Sequence, residues 1–466
     1  MKYPRFVLSG AWSGVGKTSL SVAVMGALRA KGLQVQPYKV GPDYVDPAFH
    51  AFVTGTPSRN LDAWIVAPQE LKRLFARTAP LAGCGVSVVE GVMGLFDGNG
   101  TTSEGGTAHV AKTISAPVLL IVSGEGIARS LGALVRGYRD FDVDLNLAGV
   151  LVNKVSGERH YELLRRIVEG ETGLHCYGYL SKRPEVGLDH RPLGLVPPAE
   201  VGDIRAKVDA LAALASATVD LDGLLALAEA APDLDTPAEE PEAAGSVDTP
   251  VRIGIPRDAA FWAYYEDNLD LLREMGADLI FFDTFRAASL PERLDGLYIG
   301  GGSPEAFARE LSENTPLLQA IRTALERGLP AYAEGAGATY LGRRLSDGDG
   351  RTFDMVGFLD CDAAVTRRLP NFGHVDVTLC ADTPLGPRGT GYRANEFHRL
   401  ELRQLVAGED APAAYSVRKP NGLEWSGGIV KGNVFASLVQ VHFYADKRLA
   451  RNFLGRCRSF GRTILK

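Results

Sequence analysis

Cysteine is scarce in this sequence, and its spacing matches neither a disulfide framework nor a zinc site. The five cysteines are odd in number and widely scattered, with no C-x-x-C pair: Cys84, Cys176, Cys361, Cys380 and Cys457. Such usage is typical of a protein that works without disulfides. We therefore expect a protein of the reducing cytoplasm.

Long apolar runs and basic runs are also missing. No stretch reaches the roughly eighteen apolar residues of a membrane-spanning helix, and the N-terminus, "MKYPRFVLSG", carries no small-residue cleavage site. The chain has 50 basic and 56 acidic residues, for a net charge of -6. This balance gives no electrostatic reason to expect nucleic acid or an anionic membrane as a partner, so we expect small molecules.

The 466 residues, of which 45% are hydrophobic, are more than one hydrophobic core usually supports. Residues 232–250, "PDLDTPAEEPEAAGSVDTP", are rich in proline, alanine and acid and are expected to form a linker. On both sides of it, short β-branched runs alternate with amphipathic helical patterns, which predicts α/β domains with parallel sheets. We expect domains at 1–231 and 251–450 and a tail at 451–466.

A glycine-rich segment, "SGAWSGVGKTSL", follows the first predicted strand and opens a helix. Small residues at such a turn let backbone N–H groups surround a phosphate, while a lysine reaches the β- and γ-oxygens and a hydroxyl serves Mg²⁺. The spacing from Gly10 to Gly16 is one residue longer than in the usual P-loop. The segment predicts nucleotide binding by Lys17 and Thr18, and the alternative is an ordinary glycine-rich turn.

Two later segments place carboxylates at the ends of predicted strands. "YKVGPDYVDPAFH" groups Asp43 and Asp46 around a Gly-Pro turn, and "VSVVEGVMGLFDGNG" ends a buried strand at Glu90, with Asp97 in the loop beyond. Oxygen ligands of this kind can hold a hard cation, although aspartates in turns often bond only to the local backbone. A carboxylate after a run of valines needs a cation or hydrogen bonds, which favours Glu90 as a metal ligand.

These segments together resemble the cobyrinic acid a,c-diamide synthase family, whose amidation half is related to dethiobiotin synthetase. The resemblance is carried, in order, by "GAWSGVGKT", "KVGPDYVDPAFH", "NLDAW", "VVEGVMGLFDG", "GIARS", "GVLVNKV" and "LGLVPPAE". It implies an ATP- and Mg²⁺-dependent enzyme that phosphorylates a carboxylate of a tetrapyrrole-derived ring and lets ammonia displace the phosphate. Ser123 departs from the aspartate usual in the family.

The resemblance also implies roles for individual residues. Catalysis would fall to Lys17, Asp43, Asp46, Glu90 and Asp97, and the metal to Thr18, Asp46 and Glu90. ATP would be bound by Gly10, Ser13, Gly14, Gly16, Lys17, Thr18 and Asn153, and the substrate by Lys39, Tyr44 and Arg129. For Arg129, a plain surface arginine is the alternative.

The second half resembles the class-I glutamine amidotransferase domain of the same family, with a flavodoxin-like α/β fold. "DGLYIGGGSPE" is similar to its oxyanion loop, which includes Gly301. The nucleophile position of the family's "AECGG" is Gly335 here, and the general base is replaced by Gln440 in "VQVHF". Asn395 replaces a histidine in "NEFH", and His442 lies out of register. We predict that this domain does not hydrolyse glutamine.

The combined expectation is ATP-dependent amidation of the a and c acetate groups of cobyrinic acid, with nitrogen from free ammonia or a separate glutaminase. Sirohaem or nickel-sirohydrochlorin type rings are alternative substrates. A paralogue that binds ATP and a tetrapyrrole without turnover, and a P-loop ATPase that assists assembly, are alternatives in function. The resemblance implies a homodimer.

Overall fold

The computed structural model describes residues 1–183, 190–191, 194–195, 202–236, 250–366, 371–405 and 413–464. The chain divides into two compact units, 1–239 and 240–466. Most of the expected linker lies outside the described residues, at 237–249, and so does most of the "LGLVPPAE" segment. Within the described residues, no helix is long and apolar enough to cross a membrane.

The first unit is built on a seven-stranded sheet in which all neighbouring strands are parallel. The order is β3-β2-β4-β1-β5-β6-β7. The strands are β1 (Arg5–Gly10), β2 (Gln34–Val40), β3 (Arg59–Leu61), β4 (Gly85–Gly94), β5 (Val118–Ser123), β6 (Leu147–Val155) and β7 (His175–Ser181), followed by a short antiparallel pair, β8 (His190–Arg191) and β9 (Gly194–Leu195). The helices are α1 (Lys17–Ala30), α2 (Val45–Thr54), α3 (Pro68–Thr78), α4 (Thr107–Thr113), α5 (Ser130–Phe141), α6 (Glu158–Thr172), α7 (Ile204–Thr218) and α8 (Leu221–Glu229).

Helices cover both faces of this sheet, as the apolar strands predict. Val35 of β2 packs into one core with α1 and α7. Tyr38 lies three positions along the same strand and therefore faces the other side, where its hydroxyl donates to Phe75 O of α3 at 2.9 Å. The carboxyl ends of β1, β2 and β4 lie side by side and bring their following loops together.

The second unit contains a six-stranded sheet of order β12-β10-β13-β15-β25-β24, parallel except at the β24–β25 edge. Its strands are β10 (Val251–Pro256), β12 (Ala277–Phe282), β13 (Gly296–Ile299), β15 (Ala331–Glu334), β24 (Ile429–Lys431) and β25 (Val434–Ser437). Its helices are α9 (Glu266–Glu274), α10 (Ala308–Glu313), α11 (Thr315–Glu326), α12 (Gly337–Tyr340) and α13 (Lys447–Ile464). The predicted α/β class is thus confirmed for both halves.

Three smaller sheets complete the second unit and were not expected from the sequence. They comprise a pair, β11 (Phe261–Ala263) with β14 (Gly301–Gly302); a four-stranded sheet of β16 (Arg344–Ser346), β17 (Thr352–Asp354), β18 (Cys361–Val365) and β21 (Leu400–Gln404); and another of β19 (Phe372–Leu379), β20 (Gly391–Phe397), β22 (Tyr415–Arg418) and β23 (Glu424–Gly427).

The segment expected as a tail, 451–466, is helical as far as Ile464 and belongs to α13. Leu449, Phe453 and Cys457 recur every four residues and are all buried. This spacing places them on one face of α13. Cys457 packs against Gly296 of β13, where a Cβ atom would lie only 2.4 Å from its Sγ. The C-terminal helix is therefore part of the second core.

Candidate functional site

The glycine-rich loop connects β1 to α1 and is held from β6. Gly14 and Gly16 have φ values of +83° and +95°, which favour glycine. A Cβ atom on Gly16 would lie 2.1 Å from Asn153 Nδ2. That amide donates to Val15 O at 2.9 Å, and Lys154 Nζ donates to Gly14 O at 2.9 Å. Neighbouring side chains thus fix the loop, and Ser13 is exposed within it.

Lys17 extends from the start of α1 across Gly10. A Cβ atom on Gly10 would lie 2.8 Å from Lys17 Cγ, so the glycine makes room for the lysine stem. Lys17 Nζ donates to Met93 O, three residues after Glu90 on β4, at 2.6 Å. Burial, and then the charge of Lys39, lower the pKa of Lys17 to about 8. A lysine in this position can carry its charge to a bound phosphate.

Glu90 is the centre of the site. It is fully buried, and its Oε1 accepts hydrogen bonds from Thr18 Oγ1 at 2.8 Å and Lys39 Nζ at 3.0 Å. Its Oε2 lies 2.7 Å from His50 Nε2. Burial alone would raise the pKa of Glu90, but Lys39, His50 and Thr18 outweigh it and hold the pKa well below its usual range. The carboxylate is therefore charged at neutral pH.

Lys39 lies within the acidic cluster around Glu90. It was predicted to contact substrate, but its side chain is buried, lies 2.5 Å from Asp46 Oδ2 and 3.0 Å from Glu90, and donates to Gly91 O at 3.0 Å. Although burial would lower its pKa, the two carboxylates raise it. β2 and β4 are neighbours with Lys39 opposite Glu90 in register, which accounts for the pairing. Lys39 neutralises the acidic cluster.

Asp43 and Asp97 border this cluster and bond to the local backbone. Asp43 Oδ1 accepts from Val45 N at 2.9 Å at the start of α2, and Asp97 Oδ2 accepts from Gly94 N at 2.9 Å. The charge of Asp97 still reaches Lys17 and acts to raise its pKa. Tyr44 is buried at the same helix start.

Arg129, which the resemblance predicts to bind an anionic substrate, lies directly before α5. Its side chain is 86% exposed and pairs with Glu171 Oε1 of α6 at 3.1 Å.

His50 belongs to the site and was not predicted. It lies on α2 four residues after Asp46, so both side chains leave the same face of the helix. That spacing in "DPAFH" was the available signal, but the contact with Glu90 depends on how α2 packs on the sheet.

The donor set suits Mg²⁺ held jointly with phosphate. Among the residues that the structure describes, no group of three or more His, Cys, Asp or Glu is placed to bind a metal. Mg²⁺ commonly takes only one or two protein oxygens and completes its shell with water and substrate phosphates. Thr18 Oγ1 and Glu90 Oε1, next to the glycine-rich loop, fit that arrangement.

In the second unit, the three altered positions come together. Gly335 follows β15 with φ +56°, and a Cβ atom on it would lie 2.9 Å from Gln440 Nε2. A Cβ atom on Gly301 would lie 3.3 Å from the same nitrogen. Gln440 exchanges backbone hydrogen bonds with Asn395 at 2.8 and 3.1 Å. The amide of Gln440 therefore lies beside the position where a nucleophile's side chain would begin.

Glu334, directly before Gly335, is buried in a polar pocket. It accepts hydrogen bonds from Tyr298 Oη at 2.5 Å, Tyr332 Oη at 2.8 Å and Val441 N at 3.0 Å. Burial raises its pKa to about 7, against these hydrogen bonds, which favour the carboxylate. These hydrogen bonds fix the end of β15 directly before the turn at Gly335.

This raised pKa predicts a titration that can be observed directly. Because the folded pKa lies above the ordinary 4.5, the stability that Glu334 contributes is complete below about pH 4.5 and is lost as the pH rises to about 7. Infrared difference spectra between pH 6 and pH 8 should therefore show loss of a protonated carboxyl band that is absent from Glu334→Gln. A band that disappears already near pH 4.5 would contradict this assignment.

Comparison with known proteins covers both units. Residues 6–192 match the family described as the CobQ/CobB/MinD/ParA nucleotide binding domain, and residues 252–448 match the CobB/CobQ-like glutamine amidotransferase domain. The chain is 40% identical to a cobyrinate a,c-diamide synthase of Caldanaerobacter subterraneus subsp. tengcongensis, over 98% of this chain and 99% of that protein. A protein of the same name from Listeria innocua is 38% identical over 97% of this chain and 99% of that protein. Another from Thermoplasma volcanium is 37% identical over 98% of this chain and 98% of that protein. The chain therefore belongs to the cobyrinate a,c-diamide synthase family.

Proposed function

We propose that this protein uses ATP to amidate the a and c acetate carboxylates of cobyrinic acid, through an acyl phosphate. The observation that carries the proposal is the convergence of Lys17, Thr18 and Glu90 beside a glycine-rich loop, in a chain whose relatives bear this activity in their names. An acyl phosphate requires a carboxylate and a γ-phosphate to meet, and cations must offset their repulsion.

In this proposal, the loop N–H groups and Lys17 bind the phosphates of ATP. Thr18 and Glu90 would hold Mg²⁺, which when bound neutralises phosphate charge. Lys39 pairs with Glu90 and Asp46 within a buried cluster, where it helps to keep Glu90 ionised while burial raises the pKa of Asp46. Asp46 is the nearby carboxylate that can take a proton from ammonium before ammonia attacks the acyl phosphate. Asp43 and Asp97 lie at the edge of this acidic cluster.

The nitrogen donor in this proposal is free ammonia, or ammonia from a separate glutaminase. Gly335 has no side chain with which to attack glutamine, and Gln440 has no titratable group with which to activate a thiol. The expected nucleophile and the expected general base are both absent from one small region. This favours loss of the glutaminase reaction over unrelated substitutions. Since all five cysteines are unpaired thiols, we place the reaction in the cytoplasm.

The test is ADP release measured together with product mass, with ATP, Mg²⁺ and ammonium, and with cobyrinic acid or a sirohydrochlorin-type ring as substrate. We expect cobyrinic acid to gain two amides and to stimulate ADP release. Amidation of the other ring alone would move the substrate assignment to that class. If neither ring reacts while ATP still binds, the chain is a binding protein.

A further inference from the structure

His50 is a buried imidazole at the proposed nucleotide site whose role in the reaction is still unassigned. Its side chain is fully buried, with Nε2 2.7 Å from Glu90 Oε2 and Nδ1 3.2 Å from Ser58 Oγ. Because the carboxylate can only accept, Nε2 carries the proton of that hydrogen bond. The Ser58 hydroxyl can donate or accept, so it satisfies Nδ1 in either state.

The two oxygens of Glu90 have different surroundings. Oε1 faces Thr18 and Lys39, and Oε2 faces His50. A glutamate carboxylate rotates easily about the bond that joins it to the side chain. Contacts with Oε1 alone would therefore not keep the carboxylate in one orientation when the partners of Oε1 change. A second partner on Oε2 prevents that rotation.

We propose that His50 is a positioning residue, which holds Glu90 Oε2 so that Oε1 stays beside Thr18 for Mg²⁺-ATP. The inference rests on the proposed nucleotide site. His50 is fully buried and acts through its contact with Glu90. Hydrogen-bond partners of this kind around a metal-ligating carboxylate commonly alter metal affinity about 10- to 100-fold.

Ser58 extends the same arrangement by one step. It is buried and fixes the imidazole from the side opposite to Glu90. The hydrogen-bonded series Ser58–His50–Glu90 thus connects the segment before β3 to the middle of β4, where the Glu90 carboxylate lies at the site.

The matched pair His50→Asn and His50→Gln separates positioning from general packing. The two side chains carry the same amide, but the glutamine nitrogen reaches about as far as Nε2, whereas the asparagine nitrogen reaches only about as far as Nδ1. The measurement is the affinity of the full-length protein for ATP, by isothermal titration, with and without Mg²⁺. The ratio of the two affinities reports the metal-dependent part of binding.

We expect His50→Asn to lower that ratio by about tenfold or more and His50→Gln to retain most of it. The metal-free affinity for ATP should stay close to the wild-type value in both, which also verifies that each variant is folded. Equal ratios in the two variants, whether both reduced or both unchanged, would overturn the proposal. The assay contains no tetrapyrrole and no nitrogen donor, so failure of the amidation proposal would not affect it.

Discussion

Lys17→Met is expected to reduce ATP-dependent amide formation by about a hundred- to a thousandfold. Lys17 is the cation at the start of α1, and it lies over Gly10 with its ammonium group bonded to Met93 O near the end of β4. Removal of one preorganised charge that stabilises a transferring phosphoryl group costs about 3–4 kcal/mol of transition-state stabilisation. The measurement is the initial rate of product formation at saturating ammonium.

A suitable control is Lys31→Met, at the opposite end of the same helix. Lys31 is half-exposed and pairs with Asp222 at 2.7 Å, and such surface pairs contribute little. We expect this variant to keep wild-type activity. If Lys17→Met retained more than a tenth of the activity under the same conditions, the assignment of the loop as the phosphate site would be wrong.

The double variant Gly335→Cys with Gln440→His is expected to gain a glutamine hydrolysis activity that neither single variant has. A Cβ atom at position 335 would lie 2.9 Å from Gln440 Nε2. A cysteine there therefore needs Gln440 to be replaced, both to make room for its side chain and to supply a general base. A non-glycine residue at φ +56° costs about 1–2 kcal/mol. The double variant should therefore be less stable than the wild type yet active.

Glutamate release from glutamine, without ATP or a ring substrate, measures this gain. The two single variants and Gly335→Ser with Gln440→His are the controls, because the serine hydroxyl is far less nucleophilic than a thiolate. If Gly335→Cys alone hydrolysed glutamine as fast as the double variant, Gln440 would not be what blocks the site. Glutamine hydrolysis by the wild-type protein would show that the second unit has kept its glutaminase activity.

The sequence predicted the parts of this protein whose causes are local. Buried valine runs indicated parallel strands in both halves, and the glycines before Lys17 indicated the turn into α1. Gly335 and Gln440 could be singled out because family motifs define the positions expected of a nucleophile and a base, and the predicted loss of the reaction stays a prediction. Each of these signals lies within a few consecutive residues.

The arrangement around Glu90 could not be predicted in the same way. Lys39 and Glu90 meet because β2 and β4 are neighbours in register, and the sequence does not show strand order. Arg129 has the residue type of an anion-binding group, but the packing of α5 beside α6 pairs it with Glu171. The strands between 344 and 427, which pair mostly antiparallel, also went unrecognised.

We propose that this chain makes an amide from ammonia and cannot use glutamine as its nitrogen donor. The most direct test supplies ¹⁵N-ammonium and unlabelled glutamine together, with ATP, Mg²⁺ and cobyrinic acid, and determines the mass of the amide product. We predict that the new amide nitrogens carry ¹⁵N in the same proportion as the ammonium supplied. Amides that carry unlabelled nitrogen, while the ammonium pool remains labelled, would contradict the account by showing that the second unit still delivers nitrogen from glutamine.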